Sequence, residues 1–325
     1  MDALMQELTT DRRETAFEYI DCNLCGGKNH TPLFESHDYL LYSPLTFRLV
    51  QCNACGLIFL NPRPKNMDEY YTGYYNAIFT KGYFEWLSPD RTRRINRMRP
   101  QGKMLDIGCG KGEFLSAMSK IGWDVYGNDI SPDNCNYVRN TLGLKNIHCG
   151  QFESIDLPEK YFDVITLINV LEHLKEPRQT LQKIHRLLKD DGIVVIESPD
   201  FNSMQSALSG KAWYGLDLPR HLYQLSPRIV NKLLDVTGFR VIKKDYFVHA
   251  LYTFLSIKNS LLRLAGIQKP PASDRDPASN AARTRTVIRK VGTIAVDALC
   301  LTLSGVCSLV RCQDIFRLYC TKRKP

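Results

Sequence analysis

Two groups of residues in this chain have the types and the spacing to do chemistry. Cys22-Asn23-Leu24-Cys25 and Cys52-Asn53-Ala54-Cys55 are CxxC knuckles with 26 residues between them, and a glycine follows each. Each knuckle puts two thiolates on one tight turn, and the glycine leaves N–H groups to point at sulfur. Four thiolates close a tetrahedral Zn²⁺ site of the structural kind, with no open position for a reaction. A redox role would call for one such pair, and here there are two. The second group is Met104-Leu105-Asp106-Ile107-Gly108-Cys109-Gly110-Lys111-Gly112-Glu113-Phe114. An apolar strand end delivers Asp106, and Gly108, Gly110 and Gly112 follow at every second position before a helical pattern opens. Glycines are needed where a backbone turns sharply from strand to helix and lets a ligand touch the main chain. A nucleotide-like ligand is expected there.

Asp106 narrows the choice. A dinucleotide would set its pyrophosphate at this helix start, where an anion gains from the free N–H groups, and a carboxylate at the strand tip opposes that. The spacing is also GxGxG, not the GxGxxG of dinucleotide sites. S-adenosylmethionine carries no phosphate but an ammonium and a sulfonium, and an acid suits it. Val125-Tyr126-Gly127-Asn128-Asp129-Ile130-Ser131 reads as a second strand ending in an acid placed to accept both ribose hydroxyls. Together with Asp163 to His173 and Leu187 to Glu197, these runs closely resemble the class I S-adenosylmethionine-dependent methyltransferases. The resemblance implies an α/β, Rossmann-like, seven-stranded doubly wound sheet whose last strand is antiparallel. It also implies that Asp106 and the three glycines hold the methionyl end and that Asp129 holds the ribose. Ile130, Gln151, Phe152 and Asn169 complete the expected cofactor contacts, Gln151 and Phe152 bordering the adenine.

The elements that must position these residues alternate from Lys103 onward, which means a parallel sheet with crossover helices. Strands are expected near 103–107, 123–128, 145–149, 162–168, 192–197 and 239–246, with 314–321 last. Leu181, Ile184, Leu187 and Leu188 form one helical face. Ser226-Pro227 starts a helix that Gly238 stops. Ahead of the sheet, Phe34, Tyr39, Leu40, Tyr42, Phe47 and Val50 would supply the strands of a zinc ribbon. The chain is similar here to methyltransferases with an N-terminal zinc-binding ribbon, common in bacterial sugar and polysaccharide gene clusters, of which Leu57 to Pro64 is typical. The resemblance does not extend to the long C-terminal domain of the deoxysugar C-methyltransferases, so their specific reaction is not implied. The expected organisation is a ribbon over 1–64, linker and covering helices over 65–101, the methyltransferase domain over 102–247 plus 313–325, and a helical hairpin inserted over 248–312.

Four further features bear on chemistry. Asn169, Glu172 and His173 follow the fourth strand. In the related ubiquinone-pathway O-methyltransferases an acid stands where this chain has Asn169, and acid, Glu and His together hold a divalent metal. With Asn169 in that place no catalytic metal is expected, and Glu172 and His173 line the pocket. The connection Ser198 to Leu225 is long enough to act as a lid or specificity element. It carries His221, the leading general-base candidate, since an imidazole takes a proton from a hydroxyl near neutral pH; the competing role is pinning the loop by hydrogen bonds. Tyr74 and Tyr75 would cover the cofactor or pack the ribbon. Arg91 to Arg99, five arginines in nine residues, reads as a helix face or linker.

Charge and cysteine usage set the context. Residues 240–325 hold 16 Lys/Arg against 5 Asp/Glu, a net of +11, so the remainder of the +9 chain is slightly acidic. That asymmetry points to an anionic partner such as a membrane surface, or to a solvated basic face. The apolar segments Leu251 to Leu264 and Val291 to Val310 lie within it. The second has the length of a bilayer span, but its place between two strands of one sheet argues against a span and leaves surface association or a helical hairpin that only caps the domain. Met1 to Ile20 holds five acids and no apolar core, and seven of the eleven cysteines are scattered. A reducing, cytoplasmic setting is expected, with peripheral contact at the inner face of an anionic membrane. The function read from these residues is methyl transfer from S-adenosylmethionine to a small or lipid-linked acceptor, a saccharide first, with Zn²⁺ as a structural ion. The rivals are a ribosomal RNA base methyltransferase with a zinc ribbon and a non-catalytic cofactor-binding module. The ribbon lacks a cluster of basic and aromatic residues, which argues against nucleic acid. The oligomeric state is left open.

Overall fold

The computed structural model describes residues 16–39, 45–71, 83–248, 250–264 and 313–323. They fall into two compact units, one drawn from within 1–77, 199–226 and 246–315 and the other from within 78–198, 227–245 and 316–325.

The first unit opens with short strands: β1 (Phe17–Glu18), β2 (His30–His37), β3 (Thr46–Cys52), β4 (Ile58–Leu60) and β5 (Arg63–Pro64), then α1 (Asp68–Tyr71). β2 pairs with β3, and β3 with β4, both antiparallel. A bulge between Pro32 and Phe34 absorbs the proline, which has no N–H to give to a ladder. Phe47, Leu49, Phe59 and Leu60 are buried and form the centre of this small sheet. Leu24, Val50, Leu57 and Ile58 are buried as well, so the sheet has a small apolar core of its own, to which a metal staple would add.

The second unit begins with α2 (Tyr83–Met98) and then alternates: β6 (Lys103–Ile107), α3 (Glu113–Lys120), β7 (Asp124–Asp129), α4 (Pro132–Asn140), β8 (Asn146–Cys149), β9 (Phe162–Ile168), α5 (Pro177–Leu187) and β10 (Leu188–Pro199). Next come α6 (Met204–Ser209) and β11 (Tyr223–Gln224), which belong to the first unit, then α7 (Pro227–Val236), β12 (Phe239–Phe247), α8 (Ala250–Leu264), which again belongs to the first unit, and β13 (Ile315–Lys322). The large sheet has seven strands in the order β12-β13-β10-β9-β6-β7-β8, with β13 antiparallel. β6 pairs in parallel with both β7 and β9. From β6 the chain moves outward to β7 and β8, then returns to the other side for β9 and β10. The strand order therefore reverses between β6 and β9, and the ends of these strands border the crevice where open α/β sheets bind ligands. α5 buries Pro177, Thr180, Leu181, Ile184 and Leu187, a helical face spaced three and four residues apart.

Two expectations change. Leu188 does not end the helical face but starts β10, and the register with β9 shifts between Leu188 and Ile193. Residues 199–226 do not group with the sheet: β11 pairs antiparallel with β4, so the long connection joins the ribbon. Within 65–101, expected as linker and covering helices, α1 lies in the first unit and α2 in the second. Of the expected hairpin, α8 is present, and it turns Thr253, Ser256 and Asn259 inward. Val291 to Val310 lies outside the described residues, as do Leu40, Tyr42, Tyr74 and Tyr75. Among the described residues, no helix is long and apolar enough to cross a membrane.

Candidate active site and cysteine centre

The tips of β6 and β7 are tied together by one carboxylate. Asp129 Oδ2 accepts the Gly110 N–H at 2.8 Å, while Oδ1 accepts from the Ser131 N–H at 2.9 Å and from Asn134 Nδ2 at 3.1 Å. Ser131 in turn caps α4, its hydroxyl accepting from the Asn134 N–H, with Pro132 in the first turn. The loop glycines have separate reasons to be glycine. All three have positive φ, but a Cβ at Gly108 would strike Val170 at 2.5 Å, whereas a Cβ at Gly110 would meet nothing within 4 Å. Among the described residues Gly110 therefore faces open space, with its N–H spoken for by Asp129.

Asp106 is buried beneath this loop and accepts a hydrogen bond from Thr166 Oγ1 at 2.5 Å. Burial pushes its carboxyl up to about 7, against the pull of the Thr166 hydroxyl and the Arg91 charge. Ile130 is 51 % exposed, an apolar side chain left at the surface beside a polar loop. Gln151 is exposed as well, while Phe152 packs inward under Lys183, whose Nζ lies 4.7 Å from the ring centre. Asn169 has φ 53°, an uncommon backbone state for a residue other than glycine. Its Oδ1 is buried with no hydrogen-bond partner among the described residues. Glu172 is buried and His173 half-buried on the turn Leu171–His173.

Sequence reasoning missed a buried charge cluster in the same unit. Glu197, near the end of β10, accepts from Arg91 Nε at 3.2 Å and from Arg317 Nε at 2.7 Å, and all three side chains are buried. Burial opposes ionisation, yet Arg91 and Arg317 hold the Glu197 carboxyl down at about 2. The arginine run 91–99 was the available signal, but nothing local distinguishes Arg91 from its neighbours.

In the first unit, His221 is buried with Nδ1 2.7 Å from the Gly215 carbonyl. A carbonyl can only accept, so Nδ1 carries the proton and Nε2 the lone pair in the neutral ring. Burial lowers the His221 pKa despite the nearby Asp217 charge, which keeps the ring neutral near pH 7. Of the two expected roles, the Nδ1 contact is the one that pins the loop by a hydrogen bond.

The four knuckle cysteines converge. Cys22 and Cys55 bring their sulfurs to 3.5 Å, Cys25 and Cys52 likewise, and all four lie within 4.8 Å of one another. Tetrahedral zinc with ordinary Zn–S bonds requires sulfurs about 3.8 Å apart, so the donor set fits the ion. The two turns are built alike: Gly26 N–H donates to Cys22 O at 2.7 Å and Gly56 N–H to Cys52 O at 2.9 Å. Burial pushes the Cys22 thiol up, whereas for Cys52 the N–H groups of Cys55 and Ala54 overcome burial and bring it to about 7.

A family described as a methyltransferase domain matches residues 81–244, just over half of the chain. The chain belongs to that family. Its seven-stranded sheet, with the last strand antiparallel, is the α/β Rossmann-like fold expected of that family. The chain is 30% identical over 144 residues to a ubiquinone biosynthesis O-methyltransferase of Cereibacter sphaeroides, 41% of this chain and 57% of that protein. With the mitochondrial ubiquinone biosynthesis O-methyltransferase of Schizosaccharomyces pombe the figures are 33% over 103 residues, 30% and 37%. The chain thus spans about half the length, or less, of these relatives. A SAM dependent methyltransferase from Archaeoglobus fulgidus superposes with a TM-score of 0.49 at 22% identity, covering 79% of this chain and all of that one.

Proposed function

We propose that this methyltransferase moves the methyl group of S-adenosylmethionine to an oxygen of a small or lipid-linked acceptor, a saccharide first. The observation that carries the reading is the glycine loop pinned by Asp129, with open space over Gly110. The names of the O-methyltransferase relatives support oxygen as the accepting atom, and the cysteine ribbon supports the saccharide class.

S-adenosylmethionine supplies a methyl group already activated on a sulfonium, so alignment and proton removal are what the protein adds. Asp106 and the orphaned Asn169 Oδ1 suit the methionyl ammonium, which needs acceptors. Asp129 suits the ribose hydroxyls, and Gly108, Gly110 and Gly112 let the loop approach them. Ile130 offers an apolar surface and Gln151 a polar edge for the adenine, while the inward ring of Phe152 leaves its backbone to make any contact. His221 Nε2 takes the acceptor proton, and Glu172 and His173 line the acceptor pocket. Cys22, Cys25, Cys52 and Cys55 hold one Zn²⁺, which stabilises the ribbon and takes no part in the reaction. Peripheral contact with anionic lipid belongs to the same proposal. It draws on the basic C-terminal quarter and on α8, where Lys258 Nζ sits 5.4 Å from the Phe254 ring centre.

The test incubates the chain with methyl-labelled S-adenosylmethionine and three acceptor pools: nucleotide sugars, lipid-linked saccharides and unmodified ribosomal RNA. Label is expected in a saccharide pool. Label confined to RNA contradicts the acceptor assignment, and label in none of the three contradicts it as well.

A further inference from the structure

His221 sits in a chain of buried charges that reaches into the ribbon. Arg220 is fully buried and grips Asp38 through two parallel bonds, Nη1 to Oδ2 at 2.7 Å and Nη2 to Oδ1 at 2.8 Å. The same guanidinium donates to Asp217 Oδ1 from Nε at 3.0 Å and from Nη2 at 2.8 Å. Asp217 turns its other oxygen toward the imidazole, Oδ2 lying 3.8 Å from His221 Nε2. Its own backbone is left-handed, with φ 34°, and its carbonyl accepts the His221 N–H at 2.9 Å.

We propose that Arg220, clamped between Asp38 and Asp217, is a positioning residue that sets the orientation of His221 against the ribbon strands. This rests on the reading of His221 as the base. Both flanks of the histidine are tied to the ribbon: Arg220 to Asp38 on one side, and on the other Leu222, whose carbonyl accepts the Leu60 N–H at 2.9 Å. Apolar side chains of equal volume fill such a space at lower cost than buried ions. What the ions add is direction, because a planar guanidinium fixes two carboxylates in one plane. The ribbon thereby gains a role beyond self-stabilisation: it is the frame for the proton acceptor.

The experiment uses the full zinc-loaded chain with ¹⁵N-labelled histidine, the His221 signals being assigned by their loss in His221→Gln. The wild type should show Nδ1 protonated and Nε2 bare. Asp38→Asn, and the charge-balanced pair Asp38→Asn with Arg220→Gln, should each populate the Nε2–H form. Asp38→Asn removes a negative charge and should lower the pH at which His221 protonates, whereas in the pair the loss of the Arg220 charge, which itself lowers the His221 pKa, should raise it. S-adenosylhomocysteine affinity should stay within about twofold of wild type, since a twofold change is a small fraction of a kcal/mol. If the folded variants keep the wild-type tautomer and titration and lose only denaturation midpoint, Arg220 is structural and the proposal is overturned. If the wild type fails to bind S-adenosylhomocysteine while the His221 changes appear, the methyltransferase reading falls and the positioning role stands.

Discussion

Asp129 holds the Gly110 N–H at 2.8 Å, so the acid at the second strand tip sets the shape of the loop at the first. A residue read from sequence as a ligand contact is therefore also a structural brace. Its remaining capacity to accept is what the ribose hydroxyls would use, since an ionised carboxylate has about four acceptor sites and three are taken.

Replacing Asp129 should separate the two roles. Asp129→Asn keeps an acceptor for Gly110 but loses the charge, whereas Asp129→Ala loses both. Charge-assisted hydrogen bonds contribute about 1.5–3 kcal/mol, so Asp129→Ala should weaken S-adenosylhomocysteine roughly 10-fold to 150-fold. Calorimetry should place Asp129→Asn between that variant and the wild type.

Asp106 predicts a pH dependence of binding. Its carboxyl is raised from 3.8 to about 7 by burial, so in the ligand-free protein it ionises only as the pH passes through that value. The ammonium of the cofactor favours the ionised form. Affinity for S-adenosylhomocysteine should therefore fall as the pH drops from about 8 to 6, with proton release on binding in that window. Asp106→Asn should flatten the profile, as measured by calorimetry in buffers of different ionisation heat.

Glu197 makes a stability prediction. Its pKa is depressed from 4.5 to about 2, so the pairing stabilises the fold above pH 4.5 and is lost as the pH falls toward 2. Glu197→Gln leaves Arg91 and Arg317 buried with a neutral partner and should cost about 3–5 kcal/mol at neutral pH. Urea denaturation of the two proteins should show that gap closing below pH 4.5.

The cysteine centre predicts one zinc per chain in freshly purified, reduced protein. Removing it with a chelator should speed amide exchange over residues 20–60, because the ion stabilises a module with a small core. Cofactor binding should persist, since the residues proposed to hold it lie in the other unit. Metal analysis and exchange mass spectrometry check both.

How far the sequence carried can be read from particular residues. β6 and β9 fall on the expected 103–107 and 162–168, because buried parallel strands are continuous apolar runs bounded by turn residues. The glycine loop, Asp129 and the four cysteines were legible for a related reason: turn geometry and ligand spacing are local. The Arg91–Glu197–Arg317 cluster was not, since its members lie 106 and 120 residues apart and no local pattern pairs them. β11 was equally hidden, two residues being too few to show a period. Its pairing with β4 is what moved residues 199–226 from an expected lid into the ribbon unit.

The most direct measurement is a calorimetric titration of S-adenosylhomocysteine into the zinc-loaded chain, repeated with S-adenosylmethionine as competitor. The account predicts saturable binding at one site per chain, displaced by S-adenosylmethionine and weakened at least tenfold in Asp129→Ala, as lost charge-assisted bonds imply. A folded wild-type chain that binds neither compound, or an Asp129→Ala variant that binds as tightly as wild type, would contradict it.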